Sequence, residues 1–171
     1  HGVSFRCIVP ESRALDGGRP YVAPLLRAGH SVHVIPDCAL YQYIPTCDAA
    51  FIGSETYYPD GTCFNTVGSE LTALLCSRFH VPFYVPTPLL KLDLRALDGY
   101  RKKPILDNHR WRIGGSWPAD ETAGVDFVCP ELVAIAPEFI TAYITEAGIL
   151  PPTAMYTAGL NYAAKLGGAN A

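Results

Sequence analysis

Hydrophobic and polar positions along this chain switch between a two-residue and a helical period, and the switches mark its elements. Val3 to Val9 is β-rich and stops at Pro10, which cannot extend a ladder. Gly17-Gly18 turns the chain, and Pro20 fits the first turn of a helix running through Ala28, with Gly29 in the closing role. Pro24 makes that helix short or irregular. Ser31 to Ile35 is a second strand stopped by Pro36, Cys38 to Ile44 a brief helix, and Ala49 to Ile52 a third strand ending at Gly53. Tyr57 to Thr62 reads as a turn or small hairpin around Asp60-Gly61.

The apolar positions Val67, Leu71, Leu74, Leu75 and Phe79 have helical spacing and predict a helix over Val67 to Phe79. Pro82 to Val85 is a fourth strand. Leu89 to Gly124 is irregular, rich in Pro, Gly, Asp and Arg, and reads as a surface excursion. Beyond it come a last strand over Asp126 to Cys129 and a helix over Pro137 to Glu146, with Phe139, Ile140, Tyr143 and Ile144 on its apolar side. A terminal helix over Thr153 to Leu166 follows. Strands alternating with helices predict an α/β fold: one domain built on a Rossmann-like, mostly parallel sheet flanked by helices. In such sheets ligands gather at the carboxyl ends of the strands.

Composition narrows the class. The chain has 171 residues, 49% of them apolar and 17% charged, which suits a single folded domain with a real core. A formal charge of −3 gives no electrostatic reason for direct nucleic-acid binding, and Arg101-Lys102-Lys103 reads as a solvated loop. No apolar run approaches the ~20 residues of a membrane span, and no signal peptide opens the chain. Six cysteines form no C-x-x-C pair and have no histidine at zinc-finger spacing. Cys7, Cys76 and Cys129 lie in or beside apolar runs, as small buried hydrophobes would in a reducing compartment. The expected location is cytoplasmic. The chain opens at His1-Gly2 without methionine, the form of a fragment or separate domain.

The rim of strand ends collects the candidate chemistry. Strand one delivers Glu11-Ser12-Arg13, strand two Asp37, and strand three Ser54-Glu55 after Gly53. Three carboxylates on one rim suit acid/base work or polar binding; each also suits capping a neighbouring helix or turn. Asn65-Thr66-Val67-Gly68-Ser69 stands at the mouth of the best helix, where free N–H groups favour phosphate. Asn65 or Thr66 equally suits an ordinary N-cap. Gly68 weakens a first helical turn, and close approach of a ligand or strand would account for it.

Beyond these local signals, the ordered set Pro10-Glu11-Ser12-Arg13, Gly29 to Ala39, Ile52-Gly53-Ser54-Glu55, Asp60-Gly61, Asn65 to Ser69, Val81 to Val85 and Pro137 to Pro152 resembles a known family. The motifs look like those of the C-terminal domain of the eukaryotic initiation factor 2B α/β/δ family, which includes methylthioribose-1-phosphate isomerase and ribose-1,5-bisphosphate isomerase. The family's pattern there is roughly E-S-R-P, D-S-A, G-A-D, N-G, N-K-I-G-T and P-P-E-x-I-T-x-I-I-T-E-x-G. The resemblance implies a fold of the NagB/RpiA/CoA-transferase-like kind, with an upstream helical domain absent from this chain. It implies that Glu55 occupies an acid/base position and Asn65 a ligand-amide position. Glu11, Ser12, Arg13, Asp37, Gly53, Thr66 and Gly68 would line the ligand site.

Ala14 stands where the family has proline, Cys38 where it has serine, and Thr66 where it has lysine. Loss of that cation removes a contact worth roughly 1.5–3 kcal/mol. The family's isomerases also use a cysteine and phosphate-binding arginines from the region upstream. The resemblance therefore implies a regulatory or assembly domain of a translation initiation factor (guanine-nucleotide exchange) complex, with a sugar-phosphate or nucleotide-sized pocket. The alternative is an aldose–ketose isomerase of a sugar 1-phosphate. Neither reading involves a cofactor or a metal. The expected partners are a small phosphorylated ligand and other subunits, in a homo- or hetero-oligomer held through the C-terminal segment.

Overall fold

The structure is a computed structural model that describes residues 2–103, 106–108 and 113–167. The first strand, β1 (Arg6–Pro10), pairs in parallel with β2 (Ser31–Ile35) through the crossover helix α1 (Arg19–Arg27). Pro20 sits in the first turn of α1, as its fixed φ allows, and Pro24 is accommodated within the helix. Gly29 follows the helix at φ +85°. Gly18 has a different reason to be glycine: a Cβ there would lie 2.1 Å from the Pro10 carbonyl oxygen.

A short helical stretch, α2 (Leu40–Tyr43), leads to β3 (Ala50–Phe51). Next come β4 (Thr56–Tyr57), β5 (Cys63–Thr66), the helix α3 (Ser69–Phe79) and β6 (Phe83–Pro86). Beyond them β7 (Leu106–Asn108) pairs with β8 (Val128–Pro130), and β9 (Leu132–Ile135) pairs antiparallel with β5. The chain closes with β10 (Ala142–Thr145), β11 (Gly148–Leu150) and α4 (Met155–Lys165).

Parallel pairing is present, but not in a single sheet. β3 and β10 flank β6 in parallel, and β11 adds an antiparallel edge. β1–β2 forms a separate parallel pair, and β4-β5-β9 a three-stranded antiparallel sheet. The architecture is mixed α/β, with helices and parallel strands arranged around one core. Tyr57, Phe83, Val85, Ile135, Tyr143 and Met155 lie at its centre, joined by Ile35 and Leu40 from the β1–β2 side.

Two expectations fail here. The segment from Pro137 to Glu146 is not a helix: a 3-10 turn at Pro137–Phe139 leads into β10. Thr141 exchanges hydrogen bonds with Phe83, its N–H donating to the Phe83 carbonyl at 2.8 Å and its Oγ1 accepting from the Phe83 N–H at 2.9 Å. Apolar residues are needed on both faces of such an inner strand, and a short run of them mimics helical spacing. Asn65 and Thr66 do not cap α3 either; both belong to β5, and the helix begins two residues after Val67. Part of the irregular stretch lies outside the described residues. Among the described residues no helix is long and apolar enough to cross a membrane.

Candidate functional site

The turns that follow the parallel strands position the predicted residues in two groups. In the first, the Asp37 carboxylate accepts from the backbone N–H of Ser12 and of Arg13, both at 2.9 Å. Ser12 lies at φ +50°, a region side chains enter only when held there. Asp37 thus fastens the turn after β1 to the turn after β2. Arg13 and Glu11 approach each other at 3.4 Å.

The second group is built on the β4–β5 ladder. Thr56 faces Phe64 and Tyr57 faces Cys63, and the ladder ends there, with Glu55 in the turn that enters β4 and Asn65 the residue after Phe64 on β5. The Glu55 N–H donates to the Phe64 carbonyl at 2.7 Å, which fixes the Gly53-Ser54-Glu55 turn beside the strand. Glu55 is exposed and Ser54 buried, with the Ser54 hydroxyl donating to the Thr56 carbonyl at 2.9 Å. Asn65 donates through Nδ2 to Ser69 Oγ at 2.9 Å, which joins the strand to the first turn of α3. Gly68 is the residue before that turn, at φ +97° with open space where a Cβ would stand. Its backbone angle, not a close neighbour, accounts for the glycine.

Among the described residues no three His, Cys, Asp or Glu side chains could hold a metal together. The second group offers one exposed carboxylate, Glu55, in the turn docked on β5, and one half-buried amide, Asn65, on that strand.

Beneath them lies a buried polar layer that the sequence did not single out. Cys63 is fully buried, and burial pushes its thiol up to about 11 against the opposing pull of Ser54, Tyr143 and the Lys91 charge. Tyr143 donates to the Gly61 carbonyl at 2.8 Å and Tyr57 to the Leu89 carbonyl at 2.7 Å. Burial raises both phenols, that of Tyr57 to about 12. Lys91 donates to the Ser54 carbonyl at 2.6 Å. No spacing signal links Lys91 to Glu55, because it arrives from the irregular stretch after β6. All six cysteines are free, Cys7 and Cys129 being half-buried and Cys38 exposed. A shallow groove of about 300 Å³, lined by Phe64, Glu70, Lys102 and Leu132, opens on the face of β5 to which Phe64 points, away from Cys63 and Asn65.

Comparison with known proteins decides the family. The model of the initiation factor 2 subunit family matches residues 1–152. The chain belongs to that family. It is 31% identical over 157 residues to methylthioribose-1-phosphate isomerase of Symbiobacterium thermophilum, covering 88% of this chain and 43% of the relative. It is 28% identical over 152 residues to 5-deoxyribose 1-phosphate isomerase of Petrotoga mobilis, covering 87% and 44%. Among solved structures, the delta subunit of translation initiation factor eIF-2B from A. fulgidus has a TM-score of 0.75 at 23% identity, over 94% of this chain and 47% of that one. The 5-methylthioribose 1-phosphate isomerase of Pyrococcus horikoshii has a TM-score of 0.73 at 20% identity, over 94% and 45%. Factor and isomerase therefore share the fold of this chain. It spans less than half the length of the curated relatives it matches.

Proposed function

We propose that this family member forms the carboxylate-bearing part of an aldose–ketose isomerase acting on a sugar 1-phosphate of the methylthioribose or 5-deoxyribose type. The observation that carries the reading is the backbone hydrogen bond that docks the Glu55 turn on β5 at Phe64, the residue before Asn65, in a chain similar to relatives named as such isomerases. Interconverting an aldose and a ketose requires a proton to be taken from one position of the sugar and returned at another. One exposed carboxylate can do both. In this reading Glu55 is that acid/base, and the Asn65 amide holds the sugar. Gly53 before Glu55, and Thr66 and Gly68 after Asn65, form the first wall, and Glu11, Ser12, Arg13 and Asp37 the second. The fold would then be of the Rossmann-like NagB/RpiA/CoA-transferase-like kind, in a cytoplasmic oligomer.

A regulatory or assembly role in a translation initiation factor complex is the second reading, favoured by Glu55 where the family has aspartate and Thr66 where it has lysine. An extra methylene moves a carboxylate by about 1 Å, and such a misplacement can cost about a hundredfold in rate. Turnover of methylthioribose 1-phosphate by the natural full-length protein separates the two. We expect turnover that falls at least about a hundredfold in Glu55→Gln and is kept in Glu55→Asp. We expect none from the 171-residue chain alone, since the resemblance places the cysteine and the phosphate-binding arginines upstream. A full-length protein that turns over neither sugar phosphate while assembling normally would give the regulatory reading its case.

A further inference from the structure

The family pattern puts a lysine directly after the ligand-holding asparagine, and this chain has Thr66 there. A cation reaches the same rim by another route. β3 and β6 are parallel neighbours, so the segments after Phe51 and after Pro86 leave the same sheet end. The second of these makes a 3-10 turn at Leu89–Lys91. From that turn the Lys91 ammonium reaches the Ser54 carbonyl at 2.6 Å, on the residue preceding Glu55.

The turn is fastened at several points. Thr56 Oγ1 donates to the Lys91 carbonyl at 2.8 Å, the Tyr57 hydroxyl to the Leu89 carbonyl at 2.7 Å, and the Leu89 N–H to the Glu146 carboxylate at 3.0 Å. An ammonium carries three donors, and the carbonyl takes one. Lys91 is exposed and makes no ion pair among the described residues. Its charge acts on Cys63, on the side of β5 that also carries Asn65. Lys102 lies instead over the Phe64 ring, 5.8 Å from its centroid, on the other face.

We propose that Lys91 is the anion-binding residue of this site, taking the phosphate of a sugar phosphate in place of the lysine that Thr66 replaces. The proposal rests on the sugar-phosphate reading of the Glu55–Asn65 site. A backbone carbonyl needs only a neutral donor, so the charge at this position has no structural use that an amide could not serve. A phosphate uses both the charge and the free donors.

The test is calorimetric titration of the full-length protein with methylthioribose 1-phosphate and, separately, with the dephosphorylated sugar. Lys91→Met and Lys91→Gln should weaken binding of the phosphate ester by about tenfold or more and leave the weak binding of the free sugar unchanged. Lys91→Arg, which keeps the charge, should stay within about threefold of wild type. Salt should weaken binding to the wild type more steeply than to Lys91→Gln. Equal affinity in wild type and Lys91→Gln would overturn the proposal. So would a loss of affinity shared by Lys91→Arg and matched by a lower melting temperature, the signature of a purely structural tie. A wild type that binds no sugar phosphate would bring down the underlying reading as well, and would show it before any variant is made.

Discussion

The carboxylate of Asp37 holds two backbone N–H groups at once and with them the left-handed turn at Ser12. Removing it leaves both donors without their charged partner. Asp37→Ala should therefore destabilise the chain by about 1.5–3 kcal/mol, read as the shift in a urea midpoint at constant slope. Asp93 works similarly on a smaller scale, capping the 3-10 turn Leu94–Asp98 through the Arg95 N–H and pairing with the Arg95 side chain at 2.7 Å. The Arg95 hydrogen bonds hold its carboxyl below the ordinary 3.8. A depressed carboxyl contributes stability above its unfolded value and loses it as pH falls through its lower folded one. Asp93→Asn should lower stability at neutral pH and flatten the acid side of the pH profile below about pH 4, by circular dichroism across an acid titration. Among the thiols, Cys63 and Cys76 are buried and pushed up to about 11, whereas Cys38 is exposed. Brief alkylation at pH 8 should label Cys38 and spare the other two until the protein is unfolded, as peptide mass mapping would show.

Helix α4 is held to the body of the domain at Gly159, where a Cβ would stand 2.8 Å from Leu92 Cδ2 and 2.9 Å from the Tyr57 hydroxyl oxygen. Helix propensity alone would make Gly159→Ala stabilising by about 1 kcal/mol. Overpacking against Leu92 and Tyr57 wins here, and the variant should lose about 1–3 kcal/mol in thermal melts. The same contrast between local and tertiary signals decides which elements could be read from the chain. β1, α1 and β2 are legible because Pro and Gly punctuate them, and α3 because its apolar residues repeat at helical spacing. Leu71 and Leu74 of that set are nevertheless exposed, and the inner side is Ala73 and Cys76 with Leu75 and Phe79. β9 is missed because Leu132 to Ile135 is a short apolar run with no alternation. β10 is misread because Ile140, Tyr143 and Ile144 fit a helical stripe and an inner strand equally well. At the site, spacing yields the strand-end residues, and the family resemblance supplies the roles of Glu55 and Asn65. Neither reaches Lys91, whose place depends on β3 and β6 being neighbours.

The four-stranded sheet has two unlike faces. Phe83, Val85 and Tyr143 point into the core beneath α3. The opposite face carries Phe51 stacked on Tyr84, with Ile144 and Ile149 continuing it across β10 and β11. Phe51 is 61% exposed and Ile149 69%. Parallel sheets are ordinarily covered on both sides, yet α1 lies against β1–β2, and α4 packs on the Leu89–Lys91 turn. The sequence placed the assembly surface on the C-terminal segment as a whole. Met155, however, is fully buried in its own chain and Tyr162 packs against the same core, leaving Ile149 and the bare sheet face. Covering apolar area returns about 25 cal/mol per Å² before the cost of association, which makes this face the strongest basis for the proposed oligomer. Sedimentation of the full-length protein at micromolar concentration should give a species larger than the monomer. Ile149→Glu should shift it towards monomer, with the melting temperature of the monomeric unit unchanged because the side chain has little to lose within its own chain. A strictly monomeric wild type, or an Ile149→Glu variant that assembles like wild type, would remove the sheet face from the interface.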